Sequence, residues 1–189
     1  MAKKIYEIEV EVTRKYKVYV LAPNKYEGEL GAKRAACEAD GGAAMKWYIC
    51  ASFARRGECV CLAAWLKSQG HTVTSKWVYD GDDVTDDGVW ADLDDEQQAD
   101  WAGSNLDGID EADAIVIITE HPGSEYVRGG RHVETGYALA LKRKALLSAV
   151  HIIGPAENCF HHIRDARRHA SVHDFKAAVL VDDAERVGG

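Results

Sequence analysis

The residues best suited to chemistry lie in the segment from Gly129 to Leu141, which reads GGRHVETGYALAL. We predict that a helix begins behind the paired glycines Gly129 and Gly130 and that Glu134 lies in its first turn. Glycine tolerates positive φ and lets the backbone approach a ligand closely. N–H groups at a helix start can bind an anion or a sugar hydroxyl, and the macrodipole there favours a charged carboxylate. The pattern predicts an ionised carboxylate beside a ligand, although an ordinary acidic residue on an amphipathic helix has the same pattern.

The elements that must position Glu134 alternate between strand and helix from Met45 onward. The apolar runs WYICAS at 47–52 and AIVIIT at 114–119 are typical of buried parallel strands. Further strands are expected at 71–78 and 145–153, and helices at 55–70, 92–112, 131–144 and 174–187. This order predicts an α/β fold with a doubly wound parallel sheet. Because ligands bind beyond the carboxyl ends of such strands, the loops there are expected to converge on Glu134.

The first 40 residues have a different pattern. Residues 4–12 and 15–21 alternate apolar and polar side chains, which predicts a hairpin, and 22–39 has helical spacing. The glycine- and alanine-rich stretch that follows has the composition of a linker. We therefore predict a small ββα appendage at 1–40, a linker at 41–45 and a main domain at 46–189. No motif assigns chemistry to the appendage.

Composition excludes several classes of function. With 47% hydrophobic and 29% charged residues, the 189-residue chain is typical of a soluble globular protein. Its net charge of −8 argues against a nucleic-acid-binding surface. No apolar run approaches the ~18 residues of a membrane helix, and the N-terminus lacks the apolar core of a signal peptide. The five cysteines, an odd number, indicate reduced thiols. We expect a cytoplasmic protein that binds neither membrane nor nucleic acid and needs no cofactor.

Histidines are the remaining candidates for metal ligands. His161 and His162 are adjacent, and His169 and His173 have the i, i+4 spacing of a helix face. Neither pair has a third ligand at a suitable spacing. We therefore expect surface histidines and no metal site.

The main domain resembles the nucleoside 2-deoxyribosyltransferase family from Lys46 to Phe175. The segments YICASFAR, GHTVTSKW, NLDGIDEADAIVIIT and GGRHVETGYALALKRK carry the resemblance, in this order. It implies a flavodoxin-like fold, cleavage of the N-glycosidic bond of 2′-deoxynucleosides, and transfer of the deoxyribosyl group to another base. The family's E-x-G-x-A motif places the nucleophile at Glu134. A related branch hydrolyses deoxynucleoside 5′-monophosphates with the same glutamate.

The resemblance also implies a general acid that protonates the departing base. The family uses an aspartate, and the matching position here is Asn105, which cannot donate a proton as an acid. Asp107 and Asp100 are close enough in sequence to substitute for it. The departure also leaves open a nucleotide-binding module that has lost turnover.

A second departure concerns the substrate. Arg128 stands six residues before Glu134, where the family's transferases carry a carboxylate and its monophosphate hydrolases a small hydroxyl residue. Together with Arg131 and Ser52, Arg128 could bind a 5′-phosphate. Both arginines could instead pair with acidic neighbours. Hydrolysis of 5′-monophosphates therefore remains an alternative to base transfer.

The other candidate substrate contacts lie after a strand or beside the nucleophile; they are Tyr48, Phe53, Arg55, Trp77 and His132. The aromatic rings could enclose or stack on a base, and each could equally belong to the core. The expected partners are a deoxynucleoside or deoxynucleotide and a nucleobase. The resemblance further implies a homo-oligomer whose sites are completed by neighbouring subunits.

Overall fold

The computed structural model describes residues 4–11, 15–22, 44–79, 93–121, 123–124 and 129–188. Strands β1 (Lys4–Glu11) and β2 (Lys15–Ala22) pair antiparallel, with Lys4 opposite Ala22 and Glu11 opposite Lys15. The two strands expected from the alternating pattern are therefore present. The remainder of the expected helix at 22–39 lies outside the described residues.

The main domain is built on a five-stranded parallel sheet. Its strands are β3 (Lys46–Cys50), β4 (Thr72–Val73), β5 (Ala114–Ile118), β6 (Ala149–Ile153) and β7 (Arg167–His169). They lie in the order β4-β3-β5-β6-β7, and every neighbouring pair is parallel. Counted within this domain, the order is 2-1-3-4-5, which defines the flavodoxin-like fold. The predicted α/β fold with a doubly wound parallel sheet is confirmed.

Helices cover both faces of this sheet. They are α1 (Arg56–Ser68), α2 (Asp95–Asp110), α3 (Gly130–Arg143) and α4 (Val172–Gly188). Side chains alternate along β3, so Trp47 faces Phe175 of α4 at 5.5 Å between ring centroids, whereas Tyr48 faces α2 and α3. Because both faces are covered, all five residues of β5 are buried. Within the described part of the chain, no helix is long and apolar enough to cross a membrane.

Strands β4 and β7, the second and fifth of the main domain, differ from the sequence expectations. The strand predicted at 71–78 is reduced to β4, and Lys76–Val78 forms a 3-10 turn. Strand β7 was not expected because its sequence, RRH, has no apolar run. It pairs with β6 at the edge of the sheet, where two of its three side chains remain exposed.

Two hydrogen bonds from Thr119 connect the carboxyl ends of β5 and β6. Thr119 donates its backbone N–H to the carbonyl of Ile153 at 3.0 Å, and its hydroxyl donates to the same carbonyl. Gly154 follows with a φ of +107°, and a Cβ there would collide with the Thr119 hydroxyl. The loops that follow these two strands therefore start from fixed positions.

Candidate active site

Glu134 lies in the second turn of α3, because the helix begins at Gly130 and not at Arg131. Gly129, the N-cap, has φ −69° and ψ −16°, and the described glycines with positive φ are elsewhere in the chain. The first-turn placement and the positive-φ interpretation of the paired glycines were both wrong. The macrodipole acts mainly within the first turn, so other groups must set the charge of Glu134.

Tyr48 holds the Glu134 carboxylate. The phenol is 1% exposed and donates its O–H to Oε1 of Glu134 at 3.1 Å. Cys50, two residues along β3, points to the same face of the sheet; its thiol donates to the backbone carbonyl of Arg131 at 3.7 Å and lies close enough to Glu134 to influence its pKa. Cys50 was not predicted as a site residue, although the two-residue period of the strand from Tyr48 could have indicated it.

Burial controls the protonation of this group. It raises the pKa of Glu134 above its ordinary value, although the nearby Cys50 thiol, the hydrogen bond from Tyr48 and the charge of Arg131 act against the rise. Burial, followed by the charge of Glu134, raises the pKa of Tyr48 far above its usual range, and burial raises that of Cys50. The phenol and the thiol therefore stay protonated, and the phenol donates to the carboxylate.

Arg131 is a buried ion-pair partner. Its guanidinium donates to the Ile118 carbonyl at 3.1 Å and to Oε1 of Glu157 at 2.7 Å, and it lies 3.8 Å from Oε1 of Glu120. The same Glu157 oxygen accepts the backbone N–H of Glu120 at 3.0 Å. We refer to Glu120, Arg131 and Glu157 as the Arg131 cluster. It joins the ends of β5 and β6 to the first turn of α3.

The other candidate arginines differ in their surroundings. Arg55 is bound to Glu58, with hydrogen bonds of 2.9 and 2.6 Å, and it also donates to the carbonyl of Thr119. Arg128 lies outside the described residues. The two described candidates, Arg55 and Arg131, therefore both bind carboxylates of this chain.

The remaining candidate contacts are only partly accessible. Ser52 ends the loop after β3, and its buried hydroxyl has no hydrogen-bond partner among the described residues. Trp77 is 6% exposed and donates its indole N–H to the Ile49 carbonyl at 3.1 Å, so it belongs to the core. Phe53, half-buried, lies 6.4 Å from the Trp77 ring and is the more accessible of the two aromatic side chains.

The amino end of α3 is open. Gly129 and Gly130 are exposed, and a Cβ at either position would meet no described atom within 4 Å. Packing within the described residues therefore gives no reason for glycine at these two positions. His132 is half-buried, and its ring centroid lies 6.4 Å from that of His161.

Asp107 and Asn105 both lie in α2. The helix is tied to α3 by a 2.6 Å hydrogen bond from the Tyr137 hydroxyl to Asp110. Both helices run antiparallel to the strands and are therefore parallel to each other. Asp107 precedes Asp110 by about one turn, and Glu134 precedes Tyr137 by about one turn. Asp107 and Glu134 are therefore expected at the same height along the two helices. Asp107 is exposed and Asn105 half-buried.

The expectation of surface histidines was wrong for His161 and His169. The side chain of His161 is 0% exposed, in the 3-10 turn Cys159–His162, whose adjacent His162 is exposed. His169, the last residue of β7, has a ring nitrogen 2.9 Å from that of His151. The short turn and the edge strand that bury them have no apolar pattern by which they could be recognised.

Replacing Arg131 with methionine tests the structural role of the Arg131 cluster. The change leaves two carboxylates without their partner, so we expect the free energy of unfolding to fall by about 3–5 kcal/mol. Arg143→Met is the matched control, because Arg143 is 70% exposed and lies 3.9 Å from Asp165. We expect this control to change stability by less than about 0.5 kcal/mol. Urea unfolding measures both, and equal losses would contradict the structural role.

The chain matches no protein-family model and no curated protein sequence. A comparison with solved structures finds a CMP N-glycosidase of Clostridium botulinum, BcmB. The two chains are 14% identical, with a TM-score of 0.44, and the alignment covers 72% of this chain and 98% of the other. The fold assignment therefore rests on the strand order, and the function is argued from the site.

Proposed function

We propose that this protein cleaves the N-glycosidic bond of 2′-deoxynucleosides with Glu134 as nucleophile and passes the deoxyribosyl group to another nucleobase. The contact between Tyr48 and Glu134 carries the proposal. It lies near the carboxyl end of β3, at the switch point between β3 and β5, because the chain runs from β3 to β4 on one side and returns to β5 on the other. Ligands of doubly wound sheets bind at this switch point. A half-buried carboxylate held there by a phenol is positioned to attack a sugar carbon.

The chemistry follows from the charge that develops at C1′. As the bond from C1′ to the base nitrogen breaks, its electron pair leaves with the base and C1′ becomes oxocarbenium-like. A Glu134 oxygen forms a bond to C1′ and gives a covalent glycosyl-enzyme. A nitrogen of the second base then attacks C1′ from the opposite face, the bond from C1′ to Glu134 breaks and frees the carboxylate, and the proton on that nitrogen passes to the group that protonated the departing base. Since Tyr48 occupies Oε1, Oε2 is the oxygen that attacks.

The departing base needs a proton, and Asp107 is the better-placed donor. An asparagine at 105 can hydrogen-bond a base but cannot protonate it. Asp107 lies at the level of Glu134 on the neighbouring helix, and its charge acts on Tyr137 of α3, although Asp110 has the larger effect. We therefore assign Asp107 as the general acid.

The described charges favour a nucleoside over a 5′-monophosphate. Arg131 binds Glu157 and Arg55 binds Glu58. Releasing either guanidinium for a phosphate would leave a carboxylate without its partner. The monophosphate alternative therefore depends on Arg128.

Glu134→Gln tests the nucleophile. Deoxyinosine with adenine, and separately each deoxynucleoside 5′-monophosphate, is incubated with the protein and the products are separated by chromatography. We expect base exchange on nucleosides and a loss of at least ~1000-fold in the variant, because an amide cannot trap C1′. Glu111→Gln, an exposed glutamate at the end of α2, serves as the control.

Each product pattern has a definite meaning. Activity that persists in Glu134→Gln would remove the nucleophile assignment. Free base released only from monophosphates would replace transfer by hydrolysis, and tight binding without turnover would indicate a binding module.

The pH dependence tests the hydrogen bond from Tyr48. Glu134 must be ionised to attack, so activity should be lost as pH falls through a pKa above the ordinary range of glutamate. The phenol stabilises the carboxylate and thereby lowers this pKa, so Tyr48→Phe should move the acidic limb of kcat/KM to higher pH. Tyr79→Phe, which removes the hydroxyl of a 44% exposed tyrosine, should leave the limb unchanged. A limb that stays in place in Tyr48→Phe would contradict the assigned contact.

A leaving group that needs no proton tests the general acid. An N7-methylated purine deoxynucleoside departs as a neutral base without protonation. We expect Asp107→Asn to lower kcat about 100-fold or more on an unmethylated purine deoxynucleoside and far less on the methylated one. Asn105→Ala should affect both substrates alike. An equal loss on both substrates in Asp107→Asn would rule out the acid role.

A further inference from the structure

We propose that His132, Glu157 and His161 form a binding site for a divalent transition-metal ion of the zinc class. Each residue offers one ligand atom, and these atoms all lie within 4.8 Å of one another. His132 comes from the first turn of α3, Glu157 from the loop after β6, and His161 from the following 3-10 turn. Zinc bonds of ~2.0–2.2 Å require a modest approach of the three ligands, which rotation of the half-buried His132 ring can supply.

The ring of His161 is the observation that points to a ligand. The residue is 0% exposed, and its Nε2 has no hydrogen-bond partner among the described residues. Its Nδ1 accepts only a long contact, 3.3 Å, from the backbone N–H of Glu157. Buried polar atoms in native proteins are almost always paired. In the other tautomer of the ring, the proton lies on Nδ1. The long hydrogen bond from Glu157 is then lost, and the lone pair of Nε2 is free to bind a cation.

The charges around the site also suit a cation. Glu120 and Glu157 both pair with Arg131, so the three residues of the Arg131 cluster have a formal net charge of −1 before a cation binds. Arg55, which is paired with Glu58, also acts on Glu120. Among the described residues, Oε1 of Glu157 accepts hydrogen bonds from the backbone N–H of Glu120 and from Arg131. Oε2 accepts none of these and is available to a cation. Two imidazoles and one carboxylate favour zinc-class ions over magnesium or calcium, which prefer oxygen ligands.

The site is separate from the proposed chemistry at Glu134. His132 and Glu134 are two residues apart on α3, about 200° around the helix axis. His132 faces a cavity of about 550 Å³ whose wall includes Leu139, Phe160 and Ile163. An ion here would join the loop after β6 to the start of α3. With three protein ligands, it would keep a position for water or a small ligand on the side of this cavity.

Metal titration of the untagged protein tests the proposal. After dialysis against a chelator, Zn²⁺ is titrated in competition with a chromophoric chelator, and Co²⁺ binding is followed by its visible absorption. We expect one ion per chain, and affinity at least about tenfold weaker in His132→Gln and in His161→Gln. His162→Gln is the matched control, because the adjacent His162 is exposed. Zn²⁺ should raise the Tm of the wild type and of this control but not of the two ligand variants.

Three results would overturn the site. They are the absence of stoichiometric binding, an affinity unchanged in both ligand variants, and an equal loss in His162→Gln. Should His161→Gln fail to fold because its ring is buried, His132→Gln decides, since its ring is half-buried and its replacement leaves the core intact.

Discussion

The candidate site depends on a guanidinium held inside the protein. Removing Arg131 from water is costly, and this cost is offset only by partners of matching charge and geometry. Glu157, Glu120 and the Ile118 carbonyl provide them, and they come from the ends of two neighbouring strands. Since Arg131 belongs to the first turn of α3, the Arg131 cluster ties the start of that helix to the segments that follow β5 and β6. Glu134, three residues later, is thereby brought to Tyr48.

A second balance sets the chemical state of Glu134. Burial disfavours the charged carboxylate, while the phenol of Tyr48, the thiol of Cys50 and the charge of Arg131 favour it. The result is a carboxylate whose pKa lies above its ordinary value and whose position is defined by a strand. The phenol and the thiol are themselves buried and stay protonated, so they stabilise the charge without competing for the proton. This arrangement suits a nucleophile that must alternate between a free and a glycosylated form.

Much of the fold could be predicted because a buried parallel strand is a continuous run of apolar residues, which is visible in the local sequence. AIVIIT predicted β5, and all five residues of that strand are buried. Strand β7 has no apolar run, because two of the three side chains of this edge strand are exposed and are arginines. The start of α3 was misplaced by one residue because Gly129 adopts a helical conformation and Gly130 is already helical, which paired glycines do not indicate.

The site was predictable only where a local sequence pattern marks a residue. The E-x-G-x-A motif singled out Glu134. Tyr48 was considered as a wall of the base pocket or as a core residue; it is 1% exposed and its hydroxyl binds Glu134. Arg131 was considered either as a phosphate ligand or as a partner of acidic neighbours in sequence, whereas it binds Glu157, 26 residues away. An ion pair between residues this far apart in the chain produces no periodic pattern in the sequence from which it could be predicted. The burial of His161 was missed likewise, because a 3-10 turn is too short to show an apolar face.

The central claim is that Glu134 becomes covalently bonded to a sugar, and mass spectrometry tests this most directly. A 2′-fluoro-2′-deoxynucleoside, whose glycosyl-enzyme reacts slowly, is mixed with the protein in the absence of an acceptor base. The proposed mechanism predicts an added fluorodeoxyribosyl mass located by peptide sequencing on Glu134, and its disappearance when adenine is added. Turnover of the natural nucleoside with no adduct on the analogue, or an adduct on another residue, would contradict the mechanism.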